Sequence, residues 1–263
     1  MLLEDKNAVI YGAGGAVGGA VARAFAREGA RVFLAGRTLA PLEAVARDIV
    51  ENGGVAATAQ VDALDEQAVE EHTRTVARKA GRIDIAFNAI GIPQQGVQGT
   101  PLVELSAEQF SLPLRTYTTA QFLTATAAAR QMVEQRSGVI LMHTPEPARL
   151  GAPLVGGMGP AWAAIEGFCR SLSAECGPHG VRAVCLRTTG IPETPAFREV
   201  IGLHATANGI TREQFQSLVE GMTHRRRSTT LLELADVAAF IASDRATAMT
   251  GTVANLTGGL TVD

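Results

Sequence analysis

Lysine is nearly absent from this 263-residue chain: there are two, Lys6 and Lys79. Tyrosine is as scarce, with only Tyr11 and Tyr117, and tryptophan occurs once, at Trp162. The three cysteines, Cys169, Cys176 and Cys185, have no metal-ligand spacing, so no resident metal is expected. An odd, low count also excludes a disulfide framework and suits a reducing cytosol. No apolar run is long enough to span a bilayer. The opening residues Met1-Leu2-Leu3-Glu4-Asp5-Lys6 lack the basic end and apolar run of a signal peptide. A cytoplasmic protein with no membrane partner is the expectation. Strong charge of either sign is missing too. The net charge is −3 with both signs dispersed, which argues against nucleic acid and for a small-molecule ligand. The densest basic run, Arg225-Arg226-Arg227, reads as a solvated helix end.

What the chain does have is apolar residues, 46% of the total, enough for one large core. No linker-like stretch divides it, so residues 1–263 are expected to form a single domain. Short apolar or β-branched runs fall at 8–11, 32–35, 56–61, 83–88, 138–142, 182–186 and 253–256. They are continuous rather than alternating, as in strands covered on both faces. Helical patterns lie between them, near 16–28, 39–52, 65–80, 106–135, 158–177 and 232–243. Such alternation implies an α/β fold: a doubly wound parallel sheet of about seven strands with helices on both faces. Ser106-Ala107-Glu108-Gln109 is a capping box opening the fourth helix. Pro113 then falls inside that pattern, where it predicts a kink or break. Residues 190–231 interrupt the rhythm with two short helical patterns and read as a lid over the ligand crevice.

The first strand–helix turn, Tyr11-Gly12-Ala13-Gly14-Gly15-Ala16-Val17-Gly18, is glycine-rich. Glycines there let backbone N–H groups approach a pyrophosphate, and the helix N-terminus adds a favourable dipole. Asp or Glu at the end of the second strand would accept the ribose hydroxyls of NAD. This chain has Gly36-Arg37-Thr38 instead, and a guanidinium fork suits the 2′-phosphate of NADP(H).

Over nearly its whole length the chain resembles the short-chain dehydrogenase/reductase family, a Rossmann-type fold. The family's glycine pattern matches Gly12 and Gly18, whereas Tyr11 and Ala16 depart from it. The resemblance implies that Asp62 and Ala63 border adenine, and that Asn88, Ala89 and Gly91 follow the fourth strand against the cofactor. It implies further that Gly190 closes the sixth strand and Thr194 meets the nicotinamide amide. Segments 235–238, 243–244 and 250–251 match the family's last helix and strand. Members act through an Asn, a Ser, a Tyr and a Lys. Those positions are held here by Tyr117, Pro145, Met158 and Trp162. With two lysines, both far from the site, no Tyr-x-x-x-Lys pair exists anywhere in the chain.

Candidates for substitute chemistry are Tyr117, His143 and Thr144, with Pro145, Met158, Trp162 and Arg187 lining a substrate pocket. Each has a structural alternative. His143 could be a satisfied core histidine, Tyr117 and Met158 packing, Glu146 a solvated loop charge, and Arg187 the partner of an acid such as Glu193. The expectation is an NADP(H)-dependent reductase of an imine or enone rather than a ketone. The alternative is a non-redox cyclase, isomerase or cofactor-binding protein on the same scaffold. The family resemblance also implies a homo-oligomer, paired through helices 106–135 and 158–177.

Overall fold

The computed structural model describes residues 1–262. Its strands are β1 (Asn7–Tyr11), β2 (Arg31–Gly36), β3 (Val55–Gln60), β4 (Ile85–Asn88), β5 (Gly138–Pro145), β6 (Val181–Thr188) and β7 (Thr252–Leu256). The helices are α1 (Ala16–Arg27), α2 (Leu39–Glu51), α3 (Glu66–Ala80), α4 (Ala107–Gln135), α5 (Met158–Cys176), α6 (Pro195–Ala207), α7 (Arg212–Met222) and α8 (Leu231–Ala242). All seven strands are parallel, in the order β3-β2-β1-β4-β5-β6-β7. The sheet has a core on each face. Ile10, Leu34, Phe87 and Leu141 pack with Phe25, Leu42 and Leu234 of α1, α2 and α8. Val9, Ile140 and Met142 pack with Val76, Met132 and Ile165 of α3, α4 and α5. Every residue of β1 and β4 is buried, as their unbroken apolar runs require. β3 is an edge strand, and Val55 on it is 57% exposed, so its apolar run is not covered on both faces.

Chain order reverses between β1 and β4, which opens a crevice at the carboxyl ends of those strands. The two lysines sit at the opposite edge: Lys6 just before β1 and Lys79 at the end of α3, ahead of β4. The capping box of α4 is present, with Gln109 N donating to Ser106 Oγ (3.2 Å) and Ser106 N to Gln109 Oε1 (2.9 Å). The expected break at Pro113 is not: α4 runs unbroken through it. Proline forfeits one hydrogen bond, but this buried stretch is fixed by packing against α5 and β5, and tertiary contacts outweigh the local loss. The 190–231 insertion carries α6 and α7, which pack on each other. Its basic run is not a helix end. Arg225 and Arg227 both pair with Glu233 of α8 in the loop beyond α7.

Candidate active site and cofactor cleft

Gly12 leaves β1 at φ +75°, and a Cβ there would stand 2.7 Å from the Ala89 carbonyl. A Cβ on Gly18 would overlap the Gly12 carbonyl. Only glycine lets α1 start this close to the ends of β1 and β4. Gly15 caps α1 with no side-chain bond, and no acid lies in the first turn. The amides around Ala16, Val17 and Gly18 thus form a cationic helix end of the kind that holds a pyrophosphate, with Gly14 alongside against Pro41. Beyond β2, Arg37 is exposed and makes no ion pair among the described residues. Its carbonyl accepts from Gln60 Nε2 (3.0 Å). Thr38 caps α2 without a side-chain bond, so a second helix end opens beside the guanidinium. Asp62 receives the Leu64 amide (3.0 Å) at the end of β3, next to buried Ala63.

Asn88 ends β4 as a clamp. Its Nδ2 donates to Ala120 O (3.1 Å) and Thr124 Oγ1 (2.8 Å), and its Oδ1 receives the Ile90 amide (3.0 Å). It ties β4 to α4 and shapes the loop through Ala89 and Gly91. Thr194 caps α6, accepting from Phe197 N (3.2 Å) and donating to Ile191 O (2.8 Å). A Cβ on Gly190 would run into the Phe197 ring, so this glycine lets α6 close down on the end of β6.

The polar residues at the ends of β5 and β6 are mostly committed to one another. Arg187 and Glu166 form a buried bidentate pair, Nε to Oε1 2.8 Å and Nη2 to Oε2 2.6 Å. Thr144 donates to the same Glu166 Oε1 (3.0 Å). The acid that Arg187 meets is therefore Glu166 of α5, not Glu193, whose carboxylate instead receives the Leu231 amide. A one-strand spacing on β5 and β6 and a helix between them bring these three together, which sequence distance hides. His143 bonds to Thr188 Oγ1 (2.9 Å), and burial lowers its pKa to about 4, so the ring is neutral.

Tyr117 and Trp162 share a wall of the crevice, with ring centroids 6.2 Å apart at 52°. Met158, one turn before Trp162, is fully buried. Burial pushes the Tyr117 hydroxyl up to about 12, against weaker pulls from the Ile92 backbone and Gln94. It is a hydrogen-bond donor there, not an acid. Gln94 continues into a buried chain, receiving Gln98 Nε2 (2.7 Å), whose own Oε1 lies 3.1 Å from His204 Nε2 of α6. The loop 90–99 is thereby tied to α6, whose Glu199 Oε1 also accepts from Gln95 N (3.2 Å).

Sequence reasoning undervalued Glu146. It is not a solvated loop charge. It opens a 3-10 turn, Glu146–Ala148, directly after β5, and its Oε2 is out of solvent with no hydrogen-bond partner. Burial raises its pKa to about 7, partly offset by its own amide and that of Gly190. The flanking prolines, Pro145 and Pro147, gave no hint of burial. The surface groove between α3 and α4, lined by Glu71, Arg74, Arg78 and Gln135, reaches the other edge of the sheet and plays no part in this arrangement.

Comparison with known proteins places this architecture. A family model described as enoyl-(acyl carrier protein) reductase matches residues 12–261, and the chain belongs to that branch of the short-chain dehydrogenase/reductase family. The uncharacterized oxidoreductase YxbG of Bacillus subtilis is 30% identical over 98% of this chain and 92% of its own. Among solved structures, NAD+-bound xylitol dehydrogenase superposes with a TM-score of 0.92 at 25% identity, covering 98% of this chain and 100% of that one. An actinorhodin polyketide ketoreductase with NADPH shares the fold at a TM-score of 0.88 and 22% identity, covering 97% of each chain. The protein is an oxidoreductase of this family's type, and its relatives bind nicotinamide cofactors.

Proposed function

We propose that the protein is an NADP(H)-dependent reductase of an activated small molecule, an imine or an enone rather than a ketone. The choice of NADP(H) rests on Arg37 beside the open end of α2, where Gly36 replaces an acid. When bound, the cofactor supplies or accepts a hydride. Gly12, Gly14, Gly15, Val17 and Gly18 would hold its pyrophosphate, Arg37 and Thr38 its 2′-phosphate, and Asp62 and Ala63 its adenine edge. Asn88, Ala89, Gly91, Gly190 and Thr194 would border the nicotinamide side. The lid would be residues 190–231.

The substrate class rests on one observation. The residues at the end of β5 and the start of α5 that would flank a substrate oxygen are Pro145, Met158 and Trp162, and the nearby Tyr117 hydroxyl stays protonated. On this reading the positions of the family's catalytic groups hold none of them, and both lysines lie at the opposite edge of the sheet. A ketone leaves a strongly basic alkoxide that needs a tuned acid as hydride arrives. An iminium is already cationic, and an enone gathers its charge on an enolate oxygen, to which Tyr117 can donate, so that the proton it needs goes to the α-carbon and not to an alkoxide. Turnover with NADPH, measured on a panel of simple ketones, cyclic imines and enones, tests this reading. Imines or enones are expected to react and ketones to lag by about 10²-fold or more, the usual worth of general acid catalysis. Ketone reduction at a rate ordinary for the family would overturn it.

A further inference from the structure

Three elements meet around Glu146, which is part-buried with its Oε2 out of solvent. Its own turn lies against the start of α5, since the Pro147 carbonyl is 3.2 Å from where a Cβ of Gly159 would stand. The Gly190 amide beyond β6 faces the carboxyl, and Gly190 is itself covered by the Phe197 ring of α6. Between these elements Oε2 has no protein partner. A buried carboxylate oxygen without a partner carries its full desolvation cost, so the position calls for a protonated group or a ligand that meets it. It lies at the carboxyl edge of the sheet, the edge at which Tyr117 and Trp162 wall the crevice.

We propose that Glu146 is the acid that delivers the proton when this site reduces a neutral imine or enone. The inference rests on the reductase reading above. With an enone, hydride adds to the β-carbon and the C=C electrons move to oxygen as an enolate. The Glu146 O–H bond then breaks, its proton forms the new C–H bond at the α-carbon, and the carboxylate remains. With an imine, the same proton goes to nitrogen, and hydride adds to the iminium carbon. The amides of Glu146 and Gly190 face the carboxylate left behind, which regains its proton from water after product leaves. Burial keeps the group protonated up to about pH 7, so it is loaded under ordinary conditions. Charge in the surrounding elements is largely held by other partners: Arg187 of β6 pairs with Glu166 of α5, Arg198 of α6 donates to the Glu193 carbonyl, and Glu199 of α6 accepts from the Gln95 amide. On its own segment there are His143, neutral and bonded to Thr188, and Arg149 at the end of the turn. The loop after β6 has Glu193, bonded to the Leu231 amide, and the first turn of α5 has no titratable residue.

The test compares the wild-type protein with Glu146→Gln, which keeps the shape and removes the titration. Infrared difference spectra of the cofactor-free protein should show a protonated carboxyl band that fades through about pH 7 and is missing in the variant. Single-turnover reduction of a neutral enone with NADPH should fall about 100-fold or more in the variant. Reduction of an N-alkyl iminium salt, which needs no proton, should fall far less than that of the enone, so the ratio of the two rates in each protein is the readout. An unaltered enone rate in the variant, or a carboxyl band lost in the ordinary carboxylate range, overturns the role of Glu146 while leaving the reductase reading intact. A wild-type protein that transfers hydride to none of these acceptors overturns both.

Discussion

Arg37 and Gly36 set the strongest expectation at the level of single residues. A guanidinium that meets a phosphate makes charge-assisted hydrogen bonds worth about 1.5–3 kcal/mol, so Arg37→Ala should weaken NADPH at least about 10-fold and leave NADH alone. Calorimetric titration of both cofactors checks it; a preference for NADPH that survives the substitution would show another residue reading the phosphate. Glu146 also has a signature in stability. Its pKa is raised from an ordinary 4.5 to about 7, so the folded state holds the extra proton between those values. Stability is complete below the lower value and is lost as pH rises through the upper one, about 3 kcal/mol at most. Glu146→Gln should therefore melt with the wild type near pH 4 and above it at pH 8. A difference that does not change with pH would place the carboxyl in water. For the Arg187–Glu166 pair, Arg187→Met leaves a buried carboxylate without its counter-charge and should cost about 3–5 kcal/mol in urea unfolding. Adding Glu166→Leu should restore much of it, because two well-packed apolar side chains can replace a buried ion pair at little cost.

At the level of elements, α8 shows how a terminus is fixed by charge. Glu233 closes the capping box with Thr230 and holds Arg225 and Arg227, and Arg227 above all draws its pKa down to about 2. Its contribution is present above the ordinary carboxylate pKa and is lost as pH falls through the lower value. Glu233→Gln should thus lower the melting temperature at pH 7 and converge with wild type near pH 2. Most elements were legible because their period and their capping residues agree: the box at Ser106 and the glycine turn at 12–18 mark real boundaries. What escaped was polar or non-local. The β5 strand was read only to Met142, since His143, Thr144 and Pro145 break the apolar run. Those three lie where strand becomes site, and polar side chains at a strand's carboxyl end follow from that place. The α4 helix ignores Pro113 because packing decides it. Likewise the structural alternative for Arg187 is an acid near in sequence, such as Glu193 six residues along, whereas the fold supplies Glu166 from α5. Burial of Glu146 depends on Gly190 and α5, neither of which its local sequence reveals.

For the whole molecule, self-association is expected through the α4–α5 face. Phe122 is 53% and Leu112 41% exposed, and the Phe122 ring lies tilted against Phe168 of α5 with centroids 6.0 Å apart, beside the exposed small residues Ala163 and Ala164. Exposed aromatics on a long helix next to small residues suit a close, two-fold helix contact. Light scattering at micromolar concentration should give a multiple of 27.5 kDa, and Phe122→Glu should reduce it. A monomer mass for the wild type would count against the interface.

The placement of the two lysines has a practical side. Lys6 and Lys79 lie at the sheet edge opposite the crevice, and Lys6 is tied to Asp244. Amine-directed reagents acting on lysine side chains would therefore label or tether the molecule by its back. A surface coupled that way presents the crevice outward, all molecules in one orientation, and a dye placed on Lys79 reports on the protein without touching the chemistry.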